Sequence, residues 1–122
     1  MDTIKISDDK KLKDIKEMFN KKFPHLKIEF FSEDHDEGEA TSFKSMYDDE
    51  LYLKDIRKNN NEGELSINGN NKTSTFESNF KEHFGVNVQV WRKSGNMWLQ
   101  TTSTDEWTLS EQERKGFEYD RN

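Results

Sequence analysis

Trp91 and Trp98 flank a turn signal, Ser94-Gly95-Asn96, and each lies in a run of alternating polarity. That pattern makes a β-hairpin, in which alternate side chains share a face. Val86, Val88 and Val90 take the core side. A two-residue turn at Ser94-Gly95 or at Gly95-Asn96 puts Met97, Leu99 and Thr101 on that same side. The opposite face then carries Gln89, Trp91, Trp98 and Gln100, with Arg92 and Lys93 at the tip. The first of these turns sets Trp91 directly opposite Trp98. An aromatic pair flanked by amides and two cations is a stacking platform for bases, sugars or a peptide. The plainer reading is a pair of rings covered by the C-terminal segment with Trp107, or by a partner subunit. A three-residue turn would bury Trp98 with the valines, so the platform depends on one turn length.

A second group with chemical potential is the acidic run Glu33-Asp34-His35-Asp36-Glu37-Gly38-Glu39. It offers hard oxygen ligands and one imidazole, a set that suits a divalent cation. Its spacing is not that of the EF-hand loop, which needs glycine at its sixth position and glutamate at its twelfth. A run of this kind is usually a solvated loop. The other two histidines, His25 and His83, fall near expected helix C-termini, where an imidazolium favours the dipole. There is no cysteine, which removes thiolate nucleophiles, disulfides and Cys-based metal sites. No glycine-rich segment joins a strand to a helix, so no phosphate loop and no cofactor motif is present.

The elements that position these groups follow from periodicity. Leu12, Ile15, Phe19 and Phe23 recur at helical spacing, and so do Thr73, Phe76, Phe80 and Phe84. Each member of the second stripe lies 61 positions after its counterpart in the first. Ser7 is a good N-cap for the first helix, with Asp8 and Asp9 behind it, and Pro24 stops that helix. Gly85 stops the second. Before the helices, Ile4 and Ile6 match Leu65 and Ile67 at the same offset, as short half-buried strands. After them, Leu26, Ile28 and Phe30 match Val86, Val88 and Val90, with one residue deleted. Residues 40–46 read as the return arm of a hairpin, and a short helix is expected around Leu51 to Ile56. Asn59-Asn60-Asn61-Glu62-Gly63 is a break. Thr108-Leu109-Ser110-Glu111 has capping-box form, so a last helix runs to about Lys115, with Gly116 as its C-cap.

These elements predict one α+β domain over residues 1–122, in two similar β-α-β-β(-α) halves, about 1–61 and 62–122. Short connections favour a mostly antiparallel sheet with the two long helices on one face. Only 30% of residues are hydrophobic and 36% are charged, but nine Phe and three Trp at regular spacings still supply a small core. Net charge is −6, which gives no long-range attraction to nucleic acid or an anionic membrane. No run is long and apolar enough to span a membrane, and Met1–Lys5 lacks a signal-peptide apolar region. A cytoplasmic location is therefore expected.

The stretch from Phe84 to Gln112 has a distinctive run, Trp91-Arg92-Lys93-Ser94-Gly95-Asn96-Met97-Trp98-Leu99-Gln100-Thr101-Thr102, followed by Thr104-Asp105-Glu106-Trp107-Thr108-Leu109-Ser110-Glu111-Gln112. It resembles small stand-alone bacterial proteins of unassigned function, of a Bacteroidetes type, and Leu12–Phe31 is similar to them too. The resemblance implies a bacterial cytoplasmic setting. It brings no activity, cofactor or partner, so no residue role is carried over.

Three functions remain. One is non-enzymatic binding of a protein partner or of a second copy, as expected from the lack of catalytic motifs and the surplus of aromatics. Another is single-stranded nucleic-acid binding through Trp91, Trp98, Arg92 and Lys93, against which the negative charge counts. The third is an enzyme or metal-binding protein using residues 33–39.

Overall fold

The computed structural model describes residues 3–32, 46–57 and 61–120. Strand β1 (Thr3–Ile6) leads to helix α1 (Leu12–Lys22) and strand β2 (Leu26–Phe31). Strand β3 (Gly63–Ser66), helix α2 (Thr73–Phe84), the hairpin β4 (Asn87–Ser94) and β5 (Met97–Gln100), and helix α3 (Leu109–Asp120) follow. The fold is α+β with antiparallel pairing throughout. The strands divide into two sheets, β1-β3 and β2-β4-β5, where the periodicity suggested one.

The two halves meet strand to strand. In the first sheet Ile4 lies opposite Leu65. In the second, Glu29 lies opposite Gln89, with Ile28 opposite Val90 and Phe30 opposite Val88. The apolar stripes of α1 and α2 pack into the same core. Phe19 meets Phe76 with ring centres 5.0 Å apart, and Phe80 meets Phe30 edge-on at 5.8 Å. Such aromatic pairs add ~0.5–1.5 kcal/mol beyond the area they bury.

Two local expectations need correction. The first helix begins at Leu12, not directly after Ser7. The Ser7 hydroxyl bonds Asp9, and Asp14 accepts the Lys11 N–H at the true N-terminus. The expected helix around Leu51 to Ile56 is a single 3-10 turn, Leu53–Asp55. Of the return arm over 40–46 only Met46 is described, and it bridges Phe31.

Gly85 closes α2 in the left-handed conformation (φ 68°), as a C-cap glycine should. Gly116 does not close α3, which continues to Asp120. A methyl group at Gly116 would stand 2.8 Å from the His25 Cβ and 3.1 Å from its carbonyl oxygen. The glycine is there so that α3 can approach the start of β2.

Candidate functional site

The hairpin turn is Gly95-Asn96: Ser94 pairs with Met97, Lys93 with Trp98, Arg92 with Leu99 and Trp91 with Gln100. Gly95 has φ 59° at the first central position, the placement that type II′ turns prefer. The even turn keeps Trp91 and Trp98 on one face. It sets them on a diagonal, however, and not directly opposite each other.

The space between the rings is filled from the neighbouring strand. Lys27 pairs with Trp91 across the β2-β4 ladder. Its Nζ lies 5.3 Å from the Trp91 ring centre and 5.2 Å from that of Trp98. Both distances are within cation–π range. The same Nζ is 3.1 Å from Glu29 Oε2. Glu29 Oε1 in turn accepts from Lys16 of α1 at 2.5 Å, and Lys16 also bonds Asp49 at 2.5 Å. Burial desolvates the Lys16 ammonium and works to lower its pKa, but the bonds from Asp49 and Glu29 win and hold it above the ordinary lysine value. Two anions and two cations thus alternate along the edge of β2 and end on the tryptophans.

Not every expected site residue belongs to this arrangement. Trp91 is 4% exposed and Gln89 0%, so neither offers a face to a ligand. Trp98, Gln100 and Lys93 remain half-exposed. Arg92 points to the other face, as strand alternation requires of a residue between Trp91 and Lys93. Its guanidinium stacks over Trp107 at 5.3 Å and donates to Gln112 Oε1 at 2.8 Å, beneath α3. Gln112, fully buried, also donates to the Thr104 carbonyl at 2.7 Å and to Thr73 Oγ1 at 3.3 Å. Arg92 therefore helps to seat α3 and takes no part in a platform.

Lys27, Lys16 and Asp49 were not among the expected site residues. Lys27 had a signal in the sequence, because it alternates on β2 in the same phase as Trp91 on β4. Asp49 had none, since it reaches Lys16 only through the fold. Trp98 also lines a shallow groove of about 290 Å³ with Lys13, Lys16, Glu17, Asn20, Lys27 and Asp49. Its lysines are engaged by carboxylates, Lys16 by Asp49 within the groove and Lys13 and Lys27 by Glu50 and Glu29 beside it, so it reads as a solvated edge.

The outer strand of the hairpin presents a different surface. Met97 is 65% exposed and Leu99 39%. They share the face of Arg92, and α3 packs on Arg92 through Gly116 with Phe117, 46% exposed, next in sequence. The β5 side chains are Met97, Trp98, Leu99 and Gln100, none of them charged, in a chain that is 36% charged. Sheet edges are normally protected by lysine, proline or a bulge.

Glu33–Glu39 lie outside the described residues. Among the described residues, no three His, Asp or Glu side chains come together to hold a metal, and no helix is long and apolar enough to cross a membrane. No family model matches the chain, and neither a curated protein nor a solved structure matches it.

Proposed function

We propose that this protein is a non-enzymatic interaction module that acts through the β5 edge, with a second copy of itself as the first partner. The observation that carries the reading is an uncharged edge strand with Met97 and Leu99 exposed. Two copies pairing antiparallel along β5 would set no like charges against each other. They would also cover an apolar surface that water otherwise meets.

The nucleic-acid reading loses its platform, because Trp91 is buried and Lys27 occupies the gap between the rings. Sedimentation velocity over a range of concentrations, together with a pull-down, tests the proposal. A chain that stays monomeric and retains no partner removes it.

A further inference from the structure

Sulfur chemistry in this chain falls to methionine, because there are four methionines and no cysteine. Met18 is partly buried against the hydrophobic core, and Met46 is half-buried where it bridges Phe31. Met97 differs from both. It opens β5, directly after the Gly95-Asn96 turn, and it is the most exposed large apolar side chain among the described residues. A peroxide therefore reaches its thioether most freely.

The position gives that reactivity a consequence. Met97 and Leu99 lie on one face of β5, whose outer edge pairs with no described strand. Met97 is not part of the core, so a change there alters what meets β5 and leaves the monomer intact. Oxidation adds one oxygen to the sulfur and turns a flexible apolar group into a polar acceptor. Buried against a second apolar edge, that acceptor needs a donor, and Leu99, its neighbour on the same face, has none to give. Thioether and sulfoxide thus favour opposite states of the edge.

We infer that Met97 is a redox switch on the β5 edge: a hydroperoxide converts it to the sulfoxide, and the oxidised edge releases the second copy. The site follows from exposure, while its consequence rests on the reading of β5 as the contact between copies. The sulfur lone pair attacks the outer oxygen of the hydroperoxide. The O–O bond breaks as the S–O bond forms, and the proton passes to the departing oxygen, which leaves as water or an alcohol. Sulfur loses two electrons and the peroxide gains them. Return requires an external dithiol, since the chain has no cysteine: a sulfoxide reductase releases the oxygen as water while two thiols become a disulfide. A second copy seated on β5 covers Met97, so association protects the thioether and oxidation in turn favours the free chain.

The test treats the full chain with limiting hydrogen peroxide, locates the added oxygen by peptide mass mapping, and compares sedimentation velocity before and after. Oxygen should appear at Met97 ahead of Met18 and Met46. The chain oxidised at Met97 should associate about tenfold more weakly, the scale of one apolar side chain lost from a contact. Sulfoxide reductase with dithiothreitol should restore the parent behaviour. Met97→Leu, which keeps the edge apolar without the sulfur, should associate with or without peroxide. Equal oxidation of the three methionines, or an oxidised chain that associates as before, overturns the inference and leaves the β5 contact standing. A loss of association in peroxide that Met97→Leu shares places the effect elsewhere and overturns it as well. A parent that is monomeric before any peroxide is added removes the β5 reading, and the switch with it.

Discussion

The Lys27 ammonium lies 5.2 Å from the centre of the Trp98 ring. It lies 5.3 Å from Trp91 as well, and so ties β2 to both strands of the hairpin. Lys27→Met keeps the stem and removes the charge. It should cost about 1 kcal/mol in urea unfolding, the scale of a half-shielded cation–π contact. It should also change the near-UV dichroism of the tryptophans. Unchanged stability with unchanged dichroism would mean that the ammonium does not rest between the rings in solution.

Lys16 joins α1 to Glu29, which is 6% exposed. Lys16→Met leaves that carboxylate to Lys27 alone and should destabilise by about 1–3 kcal/mol, below the figure for a fully buried pair because Asp49 is half in water. Adding Glu29→Gln should recover part of the loss. The pH dependence has a defined sign. The folded pKa of Lys16 is raised above its ordinary 10.5, so its contribution is complete below that value and disappears as pH rises through the folded one. Lys16→Met should therefore lose less stability than the parent above pH 10.5. An identical alkaline decline in both proteins would contradict this.

At the start of α3 the capping box is fully formed. Glu111 Oε1 accepts the Thr108 N–H at 3.0 Å, and Thr108 Oγ1 accepts the Glu111 N–H at 3.1 Å. Thr108→Ala should cost about 1 kcal/mol, as loss of an N-cap does. The bond from the Thr108 backbone, then that from its side chain, holds the Glu111 pKa below the ordinary 4.5. A depressed folded pKa gives stability that is present above pH 4.5 and lost as pH falls through the folded value. Glu111→Gln should lack that acid-side component. Parallel acid titrations of the two proteins would rule it out.

Gly116→Ala should destabilise, although alanine is the better helix former by ~1 kcal/mol. The added methyl meets His25 at 2.8 Å, and overpacking of this kind costs about 1–3 kcal/mol. A higher melting temperature for the variant would show that α3 can move off β2 freely.

These sites differ in how far the chain itself disclosed them. The stripes Leu12-Ile15-Phe19 and Phe76-Phe80-Phe84 are visible because burial on a helix enforces a spacing, and Gly85 because a left-handed cap favours one residue type. The face shared by Trp91 and Trp98 was legible from an even turn length. Their diagonal offset was not, because Ser94-Gly95 and Gly95-Asn96 both satisfy turn chemistry and only the ladder distinguishes them. Arg92 was misplaced for want of one alternation step. Gly116 looked like a cap because it lies where α3 was expected to end, whereas its reason is a contact with His25, 91 positions away in the chain. The pairing of Lys16 with Asp49 is likewise a property of packing, with no local trace.

The most direct measurement is sedimentation velocity of the parent chain and of Leu99→Asp across concentrations from micromolar to several hundred micromolar. Leu99 is exposed, so the substitution leaves the core alone and places a charge on β5. Association through that edge predicts a parent whose weight-average coefficient rises with concentration, and a variant that stays monomeric at every concentration. A parent that is monomeric throughout and retains no protein partner, or a variant that associates as the parent does, contradicts a binding role for the β5 edge.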